Sequence, residues 1–246
     1  MNEPKPRRAL PIVELTPPRV EEAVRVASAE LLARRSRAEL EASAGDCFAW
    51  LEELLPRVEA KIPRGAPGDC SAGCAYCCHL KVTASPVEVL ALADHLRRTL
   101  SQERLRALRR RLDETDRLTH GQTTGQRASA RVPCPLLDEA GLCAGYEARP
   151  LRCRGANSSD RASCESAFTE PERDLGIPLY VPQMALADAL STGLATGAFT
   201  AALDGSLLEL VAGLRAALEH PDATARWLRG EPVLRRAIDP ETHGRG

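Results

Sequence analysis

The chain has 246 residues and a mass of 26.6 kDa, with 33 basic and 34 acidic side chains and a formal net charge of −1. So even a balance gives no global field to draw in nucleic acid or an anionic membrane, and aromatics at 3% argue against platforms for stacking bases. Hydrophobic residues at 43% and charged residues at 27% describe a globular chain rather than a disordered one, and no apolar run approaches the ~20 residues that span a bilayer.

Residues 1–18 carry Pro4, Pro6, Pro11 and Pro17, show no periodicity and read as a flexible N-terminal arm. Their apolar stretch Ala9–Val13 is broken by proline and too short for a secretory signal, so a cytoplasmic address is expected. From Arg19 the spacing turns helical, with Val20, Val24, Ala27 and Leu31 on one stripe. Asp46 is expected to cap a second helix from Cys47 to about Lys61, which Pro56 kinks or interrupts. These elements form an N-terminal helical region, 19–66.

Residues 62–73 carry loop chemistry, with two prolines and three glycines. Then Ser85-Pro86-Val87-Glu88 spells a capping box with proline at the first helical position. It opens a helix with the stripe Val89, Leu92, Ala93, Leu96 and Leu100. A further helix is expected from about Ser101 to Leu118, its basic run Arg109 to Arg111 read as a solvated face. Residues 120–131 read as a polar loop, and 132–168 as irregular structure held by something other than a core. The stretch 67–168, two helices included, carries eight of the nine cysteines and is expected to be a metal-binding region. Over 169–246 helices return: Pro182–Leu194, then Ser206–Glu219 with a capping box at Ser206 and Glu209 and the stripe Leu207, Val211, Leu214 and Leu218, then a short pair from Asp222 to Ile238. With no convincing alternating pattern, the fold class is all-α: a helical scaffold with a loop-built, cysteine-rich metal-binding insert.

Nine cysteines in a reducing compartment point to metal or redox chemistry rather than disulfides. Cys70, Cys74, Cys77 and Cys78, with His79, fall within ten residues; Cys134, Cys143, Cys153 and Cys164 follow. Such short spacings let two thiolates reach one ion, and soft thiolates select Zn, Cu(I) or iron–sulfur clusters. Gly73 allows the first loop to fold tightly. Adjacent Cys77 and Cys78 point in different directions, so there are two centres, or a cluster, or one spare thiol. Cys47, beside Phe48, Trp50 and Leu51 on an amphipathic helix, reads as a core residue. His79 is either a ligand or a support for one; His95 and His120 read as surface residues.

These residues resemble the YkgJ-like cysteine-cluster family, described as zinc- or iron-chelating proteins. The match runs through Cys70-x3-Cys74-x2-Cys77-Cys78, Pro133-Cys134-Pro135-Leu136-Leu137 and Gly141-Leu142-Cys143-x2-Tyr146-x2-Arg149-Pro150-x2-Cys153-Arg154. Cys164 and Trp227-Leu228-x-Gly230-Glu231-Pro232 also look like the family. The resemblance implies that the eight cysteines from Cys70 to Cys164 are metal ligands and that Arg149, Pro150 and Arg154 support the second loop. A similar cluster occurs in flagellin lysine-N-methylases, which pair an iron–sulfur centre with S-adenosylmethionine. Cys70, Cys74 and Cys77 also have the form of the radical-SAM triad, although no βα repeat accompanies them.

The expected function is therefore a metal-binding protein holding an iron–sulfur centre, [4Fe–4S] in type, in electron transfer or as part of an oxidoreductase or modifying enzyme. The alternatives are a structural zinc module on a helical interaction scaffold and a radical-SAM-like enzyme. A protein partner, either a redox partner or a modified substrate, is expected; nucleic acid and membrane are not.

Overall fold

Ser36 opens a long helix in the computed structural model, which describes residues 26, 36–173 and 175–243. The N-terminal arm and the stripe Val20, Val24, Ala27 and Leu31 lie outside the described residues. Helix α1 spans Arg37–Glu59. Its capping box is reciprocal: the Ser36 hydroxyl accepts from Glu39 N, and the Glu39 carboxylate accepts from Ser36 N at 3.1 Å. The expected start at Asp46 is thereby corrected. Asp46 lies mid-helix, where the backbone N–H groups already have intrahelical partners and need no cap. Pro56 also sits inside the helix, one turn before its end. The face it buries carries Leu40, Ala44, Cys47, Leu51, Leu54 and Val58, a helical stripe with Cys47 in the core as expected.

Helix α2, Pro86–Thr99, begins at the Ser85–Glu88 capping box read from the sequence. Every residue from Pro86 to Asp94 is buried, which a helix achieves only when neighbours cover more than one face. Those neighbours are α1, the long helix α7 (Val181–Thr200) and α8 (Leu210–Glu219). Helix α3, Gln102–Thr119, buries Leu105, Leu108 and Leu112 and packs on α8. Arg110 and Arg111 in its basic run are exposed, and Arg111 Nε reaches Pro135 O at 3.0 Å. The polar stretch 120–131 is not all loop. A third reciprocal box, Thr123 with Gln126, starts helix α4 (Thr124–Ala130), which ends on Arg131 in the left-handed region at φ 50°.

Two expectations fail near the C-terminal helices. Helix α8 starts at Leu210 rather than Ser206, because Leu208–Glu209 (β2) is extended and pairs antiparallel with Thr83–Ala84 (β1). The Glu209 carboxylate then caps α8 itself, accepting from Ala212 N at 2.8 Å. Helix α7 also runs a turn and more beyond the expected end at Leu194. Beyond α9 (Ala223–Leu228), whose buried Trp227 donates to Asp204 O, a short turn leads to α10 (Pro240–His243). Lys81 Nζ holds this end of the chain through Asp239 Oδ1 at 2.6 Å and Glu241 Oε2 at 2.8 Å. The fold is all-α, with the two-residue β1–β2 ribbon as its sheet and the loop cysteines gathered between helices. Among the described residues, no helix is long and apolar enough to cross a membrane.

Candidate metal centre

Three stretches carry the eight cysteines outside the core. The first, Cys70–His79, ends in a 3-10 turn over Tyr76–His79. Gly73 at φ +83° makes the tight turn between Cys70 and Cys74, and Cys74 N donates to Ser71 O at 3.0 Å. The second stretch is a hairpin-like loop in which Leu137 bridges Cys143 and Asp138 N donates to Leu142 O. The third holds helix α5, Leu151–Gly155, with Cys153, and helix α6, Arg161–Thr169, with Cys164. The stretch 132–168 is therefore less irregular than its spacing suggests: Asp160 caps α6 by accepting from Ala162 N, and Pro150 leads into α5.

The first stretch contacts both of the others. On one side, Cys134 N donates to Cys78 O at 2.9 Å. There the tip of the second loop rests on the first: a Cβ added to Gly141 would come within 3.0 Å of Gly73 O. On the other side, Asp69 N donates to Ser158 O at 2.9 Å and Asp69 Oδ2 accepts from Arg161 N at 2.9 Å. Phe168 of α6 then packs on Tyr76, with ring centroids 5.7 Å apart, and on His79 at 4.7 Å. His79 Nδ1 also lies 3.0 Å from Ala75 O, so its ring is pinned between its own turn and α6. His95 is half-buried on α2, and His120 is exposed beside Asp116.

All nine cysteines are free thiols; Cys70 and Cys77 are exposed and the other loop cysteines half-buried. Among the described residues, no three His, Cys, Asp or Glu side chains converge closely enough to hold an ion. The thiols are nonetheless near enough to alter one another's ionisation. A hydrogen bond from Cys78 holds Cys77 down at about 7 against the effect of burial, helped by the Arg149 charge. Cys78, which keeps the shared proton, is pushed well up by that bond and by burial. Burial, then neighbouring thiolates, push Cys134 up to about 12 and Cys153 higher still. Burial also raises Cys143 and Cys164. Cys134, Cys143 and Cys153 lie near enough to act on one another, and Cys164 feels Cys70, Cys74 and Cys77, while Cys77 links the two sides through Cys78 and Cys153.

A donor set made of thiols alone suits thiophilic ions. Thiols this strongly held neutral are groups from which such an ion displaces protons on binding, so the residues fit a zinc or iron–sulfur centre by donor chemistry. The supporting residues are of two kinds. Arg154, singled out by resemblance, donates to the carbonyls of Arg149 and Glu147 and lies over the Phe48 ring at 4.2 Å. Arg149 lies over Tyr146 at 4.0 Å. Arg127 was missed. Its buried guanidinium donates to the carbonyls of His79 and Val132, tying the first stretch to the second. The signal was present in the Thr123-x-x-Gln126 box that places it on a helix. The Trp227–Pro232 stretch instead lines a small cavity with Asp204, Ser206 and Arg235, to which no cysteine contributes.

Residues 69–172 match the family model named CxxCxxCC, described as "Putative zinc- or iron-chelating domain". The match takes in all eight loop cysteines and bears out the resemblance to the YkgJ-like family over that segment. The first spacing here, Cys70-x3-Cys74, is one residue longer than the family's name spells. No curated protein and no solved structure matches the chain.

Proposed function

We propose that this chain, whose residues 69–172 match the model of a zinc- or iron-chelating domain family, is an iron–sulfur protein. Its centre is [4Fe–4S] in type, and it works in electron transfer or as the redox part of a modifying enzyme. The observation that carries the reading is the packing of three separate stretches, bearing eight free thiols, around Cys70–Cys78, with Cys70 and Cys77 at the surface. Cys164 lies near Cys70, Cys74 and Cys77, and Cys153 near Cys134 and Cys143, which favours two sets of four: Cys70, Cys74, Cys77 and Cys164, and Cys78, Cys134, Cys143 and Cys153. The division falls between adjacent Cys77 and Cys78, whose side chains cannot easily share one tetrahedral ion.

A bound cluster supplies one-electron chemistry, at a potential tuned by hydrogen bonds to sulfur and by exposure. The chain's part is to gather the thiols, to release their protons and to keep one edge at the surface, where a partner protein can exchange electrons. The helical scaffold disfavours radical-SAM chemistry, since among the described residues there is no βα barrel to cradle it. The test is iron and acid-labile sulfide content, with a visible spectrum, on untagged protein purified without oxygen. Iron and sulfide in similar amounts support the proposal. A colourless protein carrying only zinc overturns it in favour of a structural zinc module.

A further inference from the structure

Glu88 is the most unusual charged residue of the fold. It is fully buried at 0% exposure, although N3 of a capping box normally faces solvent. Its Oε2 serves the local cap, accepting from Ser85 N at 2.8 Å and bonding the Ser85 hydroxyl at 2.7 Å. The Ser191 hydroxyl of α7 reaches the same oxygen at 2.6 Å. Oε1 faces the other way and accepts from Leu151 N at 2.8 Å.

Leu151 is the first residue of α5, and Pro150 before it has no side-chain group to cap that helix. An uncapped, buried helix start leaves N–H groups without partners. A carboxylate from a distant helix fills the gap. Cys153 lies two residues further on, within the same single turn, so the bond that fixes the start of α5 fixes the backbone from which the Cys153 thiol projects. Gly155 closes the turn against α7, since a Cβ there would stand 2.7 Å from Ala187 Cβ. α5 is thus held at its first residue by Glu88 and at its last by α7.

We propose that Glu88 is a positioning residue of the metal centre: by capping α5 across the core, it sets the placement of Cys153 for metal binding. The inference rests on Cys153 being a ligand. Groups that orient metal ligands typically account for about 10–100-fold in metal affinity. Glu88→Gln keeps the size of the side chain but offers one carbonyl oxygen to two backbone donors, Ser85 N and Leu151 N. Ser85→Ala is the control, because it weakens the α2 cap while leaving the Leu151 contact in place.

The experiment follows metal loss from the full-length loaded protein to a competing chelator. About 10-fold faster loss is expected for Glu88→Gln, with Ser85→Ala near wild type. Combining Glu88→Gln with Cys153→Ser should lose metal no faster than Cys153→Ser alone. Equal effects of Glu88→Gln and Ser85→Ala, or additive loss in the double variant, would overturn the proposal. If Glu88→Gln fails to fold, Glu88→Asp, which keeps the charge but withdraws from Leu151, takes its place in the same comparison. If wild-type protein carries no metal, the functional reading fails separately, and alkylation of the metal-free thiols decides the role of Glu88. Several-fold faster modification of Cys153 in the variant, with Cys164 unchanged, upholds the positioning of Cys153; equal changes at both thiols overturn it.

Discussion

The backbone N–H of Cys134 donates to the carbonyl oxygen of Cys78 at 2.9 Å, across three intervening helices of sequence. This bond brings the second cysteine stretch against the first. If the thiols divide as that packing suggests, Cys134→Ser and Cys164→Ser disable different centres. Each is expected to lower the metal content by roughly half, and the two together to abolish it, as read by metal analysis. Cys47→Ser, altering a core thiol that is 1% exposed, should leave the metal content unchanged.

The metal-free protein has a pH dependence with opposite signs on its two sides. Cys77, lowered to about 7, is ionised in the folded state before it would be in the unfolded one, so it adds stability as pH rises from 7 towards 9. Cys134, pushed up to about 12, binds its proton more tightly when folded, so stability falls as pH rises from 9 to 12. Denaturation at a series of pH values should therefore show a maximum near pH 9; replacing Cys77 removes the rising limb, while the falling limb is reduced but kept without Cys134, because Cys78, Cys143, Cys153 and Cys164 are also pushed up. In alkylation, Cys77 should react readily at pH 7 to 8 while Cys134 stays unreactive.

The Lys81–Asp239 pair is buried on both sides, with side chains 5% and 2% exposed. Asp239→Ala leaves Lys81 with only the partly exposed Glu241. Removing one member of a buried pair costs about 3–5 kcal/mol; the remaining Glu241 contact places the expected loss at the lower end, about 3 kcal/mol, in urea denaturation.

Phe168→Ala separates docking from folding. The ring lies on Tyr76 and His79 at a half-buried site, so its loss should cost only about 1 kcal/mol of global stability. It loosens the hold of α6, and with it Cys164, on the first stretch, leaving the Asp69 bonds to Ser158 and Arg161. Metal held by Cys70, Cys74, Cys77 and Cys164 should exchange faster, while metal held with Cys134 and Cys153 stays.

Local signals carried the fold where the chain acts alone. Ser85-Pro86-Val87-Glu88 placed α2 to the residue, because a capping box is a contact within one turn. The same pattern at Ser36–Glu39 and Thr123–Gln126 marks α1 and α4 just as plainly. At Ser206 and Glu209 it misled, since pairing with Thr83 and Ala84 keeps Leu208 and Glu209 extended and no local residue records that partner. The cysteines were legible by spacing, and which belong together was not. Their grouping depends on contacts such as Asp69 with Ser158 and Cys78 with Cys134, between residues remote in sequence. Glu88 was legible as a cap of its own helix, but its second bond, to Leu151, exists only after folding.

The antiparallel joining of Thr83–Ala84 to Leu208–Glu209 also has a place in time. During synthesis at about 5–20 residues per second, Cys70 to Cys78 leave the ribosome on the order of ten seconds before Leu208 and Glu209. Through that interval the earliest thiols are made, while the ribbon behind them cannot close and the helices α7 and α8 that enclose α2 do not yet exist. Nascent chains therefore pass through a stage of bare, oxidisable sulfur. All eight loop thiols are made by Cys164, before the helices that enclose α2 are complete, so the share that reaches the folded state unoxidised depends on how reducing its surroundings stay through that interval.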